Sequence, residues 1–333
     1  MQRLFVYQRL VDTSTSTSTS TRTSTDTNTS TCTFTCTMNT STDTCIFHIC
    51  SRAQAAAART DGEFRAPSLT TEGFIHFSQA HQVQGVVDRF YSGQSDLVLL
   101  VVDTGLLSAT LRYEPPGPVP VTNASVAIAI DQRFPHLYGP INRDAILDLV
   151  DVDRFHGRPV HADTAAMLRH YRFERLPVEG TLFKSTWRSD VSTASGGPAG
   201  TAMIGLYAES PESVSCFHRL AHDEVWHAYG GDLFVLYLLH ANGRSEEVLM
   251  GSEAQAGQRV QCVVPAGVWQ AGCLVPGGRY ALFGCTMAPG FTRECFEAGV
   301  AADLVRQYPE REEIIHRLAV NRHATRMPGG FAS

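Results

Sequence analysis

Three histidines and two acids crowd the stretch Phe217-His218-Arg219-Leu220-Ala221-His222-Asp223-Glu224-Val225-Trp226-His227. Val264-Pro265-Ala266-Gly267-Val268-Trp269-Gln270 follows downstream. The first segment places its titratable groups at one strand edge. The second carries a Pro-x-Gly turn expected to close a hairpin. An imidazole held beside a carboxylate can serve as an oriented general base, so His218 and Glu224 form a candidate proton-transferring pair. Trp226, Trp269 and Gln270 add aromatic faces and an amide, the surroundings a sugar ring or a nucleobase needs. In an extended strand successive side chains alternate, so His227 is expected to point away from Glu224 and Trp226. His222 and His227 then read as rim residues.

The elements that must position these groups are short and punctuated. From Arg172 onward, glycine turns recur at Gly180, Gly196-Gly197, Gly230-Gly231, Asn242-Gly243 and Gly277-Gly278. Such spacing predicts a barrel or sandwich of short strands. All three tryptophans (187, 226 and 269) fall in this stretch, so an interior lined by large aromatics is expected. Pro289-Gly290-Phe291 reads as the end of the barrel, and Glu297–Leu318 as amphipathic helix. Residues 321–333 read as a flexible tail.

Residues 45–153 read differently. Strands are predicted at Ile46–Ile49, Gly73–Ser78, Leu97–Asp103 and Leu111–Glu114, with helices at Ala53–Arg59 and His81–Tyr91. Val83, Val86, Val87 and Phe90 share the helical face. Phe134–Gly139 leads into Ile146–Val152, which completes an α+β pattern. Residues 154–171 read as a linker carrying one helix, Asp163–His170. Ser78 is two positions from His76, so both are expected on one strand face.

Bulk composition narrows the class. The chain has 333 residues, enough for two domains, and a formal charge of -6, a poor match to a nucleic-acid backbone. No apolar run is long enough for a membrane-spanning helix, and the opening apolar run is too short for a secretory signal. A cytoplasmic protein is expected, for which the Asn123-Ala124-Ser125 sequon has no meaning. Nine cysteines without a Cys-x-x-Cys pair suggest free, mostly buried thiols. Residues 1–44 hold a near-alternating Thr/Ser tract of small polar side chains that predicts disorder. No Gly-x-Gly-x-x-Gly or P-loop pattern occurs.

Residues 172–320 resemble the cupin superfamily, specifically the cupin 5 group (domain of unknown function family 985). The segments that carry the likeness are Leu176–Gly180, Ser185–Ser189, His218–His227, Gly257–Trp269 and Ala288–Phe291. The resemblance implies an all-β double-stranded β-helix, or jelly roll, with a C-terminal helical segment. Metal-binding cupins hold a divalent ion with two histidines and a glutamate from the first motif and a histidine from the second. Here His218 and Glu224 match two of those positions, while Leu220 and Gln270 replace the others. The expectation is a metal-free pocket using His218, Glu224, Trp226, Trp269 and Gln270, with a metal at His218 and Glu224 as the alternative. Epimerases of this architecture pair a histidine base with a tyrosine acid. Tyr207, Tyr229, Tyr237 and Tyr280 are all available.

Residues 45–153 resemble a bacterial domain of unknown function, family 952, through Ile46-Phe47-His48, Ala66–Leu69, Glu72–Ser78, Arg112-Tyr113-Glu114 and Phe134–Pro140. The resemblance implies an ADP-ribosyltransferase-like fold. It also implies a site of His48, His76 and Glu114, with Ser78 nearby, for NAD or an ADP-ribose compound. His136 and Tyr138 are expected to frame a loop beside that pocket.

The chain therefore reads as an ADP-ribosyltransferase-like α+β domain fused to a cupin barrel. It is expected to bind a small sugar- or nucleotide-type metabolite and to be capable of transforming it. A metal-dependent dioxygenase or isomerase and a non-catalytic sensor module are the other readings. The expected partners are a small-molecule ligand and a second copy of the chain in a homodimer, with neither nucleic acid nor membrane.

Overall fold

The computed structural model describes residues 44–60, 62–116, 133–194, 196–320 and 325–331. The Thr/Ser tract up to residue 43, Cys32, Cys36 and the Asn123 sequon lie outside the described residues. So do residues 321–324, 332 and 333.

In the N-terminal region the apolar run Leu97–Asp103 is the centre of a three-stranded antiparallel sheet, between Cys45–Ser51 and Ile146–Asp151. Its side chains from Val98 to Asp103 are all buried, as a strand covered on both faces requires. A second sheet orders Ile75–His76, Phe134–Tyr138 and Thr110–Glu114. Here the stretch expected as a loop, His136 and Tyr138 included, is the central strand. It pairs with both neighbours, and Leu137 between the two polar residues is buried.

Two local expectations fail. The strand at Ile75 ends at His76; Phe77 keeps one bond to the same partner strand, and Ser78 turns to another. The Phe77 amide donates to the Pro135 carbonyl, whereas Ser78 exchanges both backbone hydrogen bonds with Phe47. His76 is exposed and Ser78 buried, so the two do not share a face. The helix expected over His81–Tyr91 is a short 3-10 turn, Ala80–Gln82, followed by Val83–Phe90. Phe90 is 57% exposed, its ring covered on one side only by the Arg89 guanidinium.

The C-terminal region is two packed antiparallel sheets. The six-stranded sheet runs Gln261–Val264, Glu224–Gly231, Tyr280–Met287, Thr201–Ala208, Leu182–Arg188 and Glu174–Arg175. The five-stranded sheet runs Ser245–Met250, Phe234–Leu239, Trp269–Leu274, Ser215–Leu220 and Phe296–Ala298. Chain-adjacent strands repeatedly fall in opposite sheets, as in a jelly roll. The Pro265–Gly267 turn is an instance. It links Gln261–Val264 in one sheet to Trp269–Leu274 in the other, so it is a crossover and not a hairpin.

The barrel also extends past Pro289-Gly290-Phe291. Phe296–Ala298 adds an edge strand because Phe296 and Ala298 alternate inward around Glu297. Two short helices, Ala301–Gln307 and Glu312–Leu318, then bury Leu304, Ile315 and Leu318 against Phe217, Ala271 and Cys273 on the outer face of the five-stranded sheet. Part of the expected tail is also packed. Met327 is buried, Arg326 donates to the Phe296 carbonyl, and Phe331 lies 6.0 Å from Phe183.

The stretch expected as a linker contributes to the core. Val160, Ala165 and Leu168 share one cluster with Phe47, Leu99 and Val101 on one side and Leu182, Leu206 and Ala208 of the barrel on the other. The helix Ala162–Tyr171 turns its small and apolar residues into that cluster. Arg169 reaches the buried Asp103 at 2.9 Å. All seven described cysteines are buried.

Candidate functional site in the barrel interior

Two apolar clusters divide the barrel along its strands. One contains Tyr207, Trp226, Phe234 and Phe283; the other contains Leu220, Met287, Cys295 and Phe296. Between them lies a layer of buried polar side chains. Glu224 marks the level: it pairs with Met287 of the second cluster, and Trp226, two residues on, pairs with Cys285 of the first.

His218 stands opposite Gln270 on neighbouring strands, and Ser215 stands opposite Gly272. The register shift between Ser215 and His218 brings residues three apart onto the face that a regular strand would give to residues two apart. Gln270 then joins the two sheets. Its Nε2 donates to Glu224 Oε2 at 2.8 Å, and its Oε1 accepts from Trp226 Nε1 at 2.8 Å.

The His218 ring stacks on Phe296, with centroids 5.3 Å apart, and its Nδ1 lies 2.8 Å from the Cys216 carbonyl. A carbonyl only accepts, so Nδ1 carries a proton, and in the neutral ring the lone pair is on Nε2. Burial pushes the Glu224 carboxyl up to about 7, against the opposing pull of nearby His218. Glu179 adds to the upward shift, while the hydrogen bonds from Gln270 and the Cys285 thiol oppose it.

Glu179 is the group the sequence reading missed as a functional residue. It is buried, and Thr181 Oγ1 donates to its Oε1 at 2.7 Å. Thr181 Oγ1 lies 2.8 Å from Ser215 Oγ, which accepts from Tyr207 Oη at 2.7 Å. The consistent direction of donation is Tyr207 to Ser215 to Thr181 to Glu179. Its only sequence signal is the Val178-Glu179-Gly180 turn, and nothing local says that the turn tucks its acid inward.

Of the four candidate tyrosines, Tyr207 alone lies in this interior. Tyr229 is 53% exposed, Tyr237 packs under the C-terminal helices, and Tyr280 packs toward the N-terminal region. A Cβ on Gly272 would sit 2.1 Å from Tyr207 Oη, so only glycine leaves room for the hydroxyl.

The tryptophans do not jointly line the interior. Trp226 does, as a packed wall against Phe283 and Tyr207. Trp269 is one position from the inward Gln270 and so faces the other way, beneath the Arg219 guanidinium at 4.5 Å. Trp187 is half exposed. His227 also points outward, to Thr286 Oγ1 at 2.8 Å, and His222 lies in the turn before Glu224.

The metal that some cupins carry does not fit these residues. His218 Nε2 and Glu224 are two donors, Leu220 offers none, and both polar atoms of Gln270 are committed to Trp226 and Glu224. Among the described residues no group of three or more His, Cys, Asp or Glu side chains is arranged to hold a metal ion.

The N-terminal region carries a second, more open cluster. His76 and His136 are register partners with ring centroids 5.2 Å apart. Phe74 stacks on His136 at 4.2 Å, and Tyr138 lies 5.5 Å from Phe74 beneath the Arg112 guanidinium. Glu114 is diagonal to His136 across the sheet and accepts from both Tyr138 Oη, at 2.7 Å, and His136 Nδ1, at 3.0 Å. Those two hydrogen bonds, Tyr138 first, hold its carboxyl below the usual range.

His76 bonds Glu72 at 3.0 Å. His48 is not part of this surface. Its Nδ1 donates to the His76 carbonyl at 2.8 Å, its ring packs against Phe64 and Phe77, and burial pushes it down to about 4. Ser78 is likewise held in the core by Phe47.

A family profile described as Cupin superfamily (DUF985) matches residues 165–299, and one described as a protein of unknown function (DUF952) matches residues 49–149. No curated protein matches the chain. Among solved structures, protein SO0799 from Shewanella oneidensis is 27% identical over 48% of this chain and 98% of its own, with a TM-score of 0.44. A hypothetical protein from Leishmania major is 26% identical over 47% and 98%, with a TM-score of 0.42. Protein CC0527 from Caulobacter crescentus is 32% identical over 32% and 85%, with a TM-score of 0.27. No described helix is long and apolar enough to cross a membrane. Two family models thus meet in one polypeptide, the DUF952 model over residues 49–149 and the Cupin superfamily (DUF985) model over residues 165–299.

Proposed function

We propose that the barrel interior binds a small sugar- or nucleotide-type metabolite and moves a proton on it, as an isomerase or epimerase does. His218 Nε2 is the base and Glu224 the acid. One observation carries this reading: an imidazole whose Nδ1 is held by the Cys216 carbonyl shares a buried layer with a carboxyl raised to about 7. Such a pair holds one group ready to take a proton and one ready to give it at neutral pH. The test is native mass spectrometry of the full chain and of Glu224→Gln, followed by solvent-deuterium exchange into any co-purifying compound. Loss of the ligand or of exchange in the variant is expected. Unchanged binding and exchange in Glu224→Gln would overturn the assignment, and binding without exchange would replace it with a sensor role.

For the N-terminal region we propose an ADP-ribosyltransferase-like domain that takes an ADP-ribose compound or NAD. Phe74, His136 and Tyr138 form the aromatic shelf and Glu114 the carboxylate that meets a ribose hydroxyl. The stacked Phe74–His136 pair beside an oriented glutamate supports this reading. Calorimetric titration with ADP-ribose tests it, and no heat of binding would exclude it. A homodimer through the barrel is also proposed. Val263 is 53% exposed on an edge strand, and Val260 precedes it. Light scattering at the mass of one chain would contradict it.

A further inference from the structure

The N-terminal region and the barrel share more than apolar packing. Among the described residues, ion pairs link residues 144–163 to the barrel, and all but one have a partner that is 40% exposed or more. Solvent takes most of the worth of such pairs. The exception joins Asp148 to Arg175, whose side chains are 5% and 23% exposed. Asp148 lies on Ile146–Asp151, an edge strand of the N-terminal three-stranded sheet. Arg175 lies on Glu174–Arg175, an edge strand of the six-stranded barrel sheet.

The Arg175 guanidinium is used on two sides. Its Nε lies 3.2 and 3.1 Å from the two Asp148 oxygens, and its Nη2 donates to Oδ2 at 2.7 Å. A carboxylate that engages a planar fork in this way fixes the plane of the fork. The remaining arm, Nη1, donates to the Gly180 carbonyl at 2.9 Å. One rigid group thus ties a buried acid of the first region to a backbone carbonyl of the barrel.

Gly180 belongs to the turn that carries Glu179. Its φ of 88° is a conformation that favours glycine, and its amide donates to the Leu176 carbonyl at 2.9 Å. The Glu179 carbonyl accepts from the Cys216 amide at 3.1 Å. The carbonyl that Arg175 holds is in the peptide joining Gly180 to Thr181, and the Thr181 hydroxyl donates to Glu179 Oε1 at 2.7 Å. Rotation of that peptide would shift Thr181 against the buried Glu179 side chain.

We propose that the N-terminal region sets the Glu179 turn of the barrel, with Arg175 as the positioning residue: Asp148 fixes the guanidinium, and the guanidinium fixes the Gly180 carbonyl. A displacement of the strand Ile146–Asp151 is thereby felt at a buried acid of the barrel interior. The two regions act as one unit and not as independent domains on a tether. This inference goes beyond the reading of the interior as a proton-transferring site and does not depend on a ligand there.

Amide hydrogen exchange of the full chain, resolved by residue with NMR, tests it. The reporters are the Gly180 and Cys216 amides, and the reference is the strand Phe234–Leu239 in the opposite sheet. Asp148→Asn keeps the shape of the side chain and removes the charge that orients the guanidinium. Arg175→Lys keeps a cation for Asp148 but has no rigid second arm for Gly180. Each substitution should speed exchange at both reporters roughly tenfold or more and leave the reference strand within about twofold. Arg175→Lys guards against an Asp148→Asn chain that does not fold, because it retains the ion pair.

Wild-type rates at both reporters in Arg175→Lys overturn the proposal. So does equal acceleration at the reporters and the reference strand, which would make the pair a general stabiliser of the seam. Faster exchange confined to the turn supports it whatever the interior binds. Unchanged ligand binding and deuterium exchange in Glu224→Gln would remove the proton-transfer reading and leave this result standing.

Discussion

Replacing Glu224 by glutamine should make the barrel more stable at neutral and basic pH while abolishing its chemistry. Burial raises the Glu224 carboxyl from its ordinary value of 4.5 to about 7. The folded state therefore keeps a proton that the unfolded state gives up, and its stability declines as pH rises between those two values. The contribution is fully present below 4.5 and is lost as pH passes through about 7. A shift of about 2.5 units at 1.36 kcal/mol each amounts to about 3 kcal/mol, an upper figure because water entering the site would reduce it.

Glutamine keeps the shape and an acceptor oxygen for Gln270 Nε2, but carries no charge to bury. Wild type and Glu224→Gln should have similar stability near pH 5 and diverge by about 2–3 kcal/mol by pH 8, with the variant above. The assay is urea unfolding across that range by tryptophan fluorescence. It reports on the barrel because Trp187, Trp226 and Trp269 all belong to it. Parallel curves for the two proteins would refute the reasoning and mean that Glu224 is hydrated.

Three other outcomes are expected. Gly272→Ala drives a methyl into the Tyr207 hydroxyl and displaces its hydrogen bond to Ser215, at a cost of about 2–4 kcal/mol. Thermal unfolding measures this, and Tyr207→Phe in the same chain should recover part of the loss. His48 is held neutral by burial down to about 4, so stability should fall as pH drops from 6.5 toward 4. His48→Gln should flatten that acid limb by up to about 3 kcal/mol, seen as a smaller drop in unfolding midpoint. Glu114→Gln exchanges a carboxylate that accepts from both His136 and Tyr138 for a neutral amide. It should weaken ADP-ribose binding about tenfold or more by calorimetry, whereas His48→Gln should leave that affinity unchanged.

Local pattern was enough for most elements. Leu97–Asp103 is a strand with the bounds its apolar run predicts, because a continuous apolar run of that length needs cover on both faces. The helix at Ala162–Tyr171 and the strand at Thr110–Glu114 came out within a residue or so of expectation. The spacing from His218 to Glu224 pointed to two residues that the fold buries in one polar layer. The alternation that turns His227 away from Glu224 and Trp226 was equally readable.

What sequence could not reveal depends on which strands meet. Trp269 looked like a pocket wall, yet Gln270 beside it takes the inward position, and strand parity follows from pairing across the sheet. His136 and Glu114 are 22 residues apart in the chain, and only the register of Thr110–Glu114 against Phe134–Tyr138 brings them together. Glu179 reaches the interior through a turn and Phe296 through an edge strand beyond an apparent terminus.

The amino-acid sequence by itself determined the positions of most strands, since these rest on periodicity within a few residues, and its likeness to known families pointed to the DUF952 and cupin (DUF985) matches. The tertiary structure alone decided that His218 Nδ1 meets the Cys216 carbonyl, that burial raises the Glu224 carboxyl to about 7 and that Glu179 lies in the same interior. Those properties come from burial and from hydrogen bonds between distant strands, which no local pattern encodes.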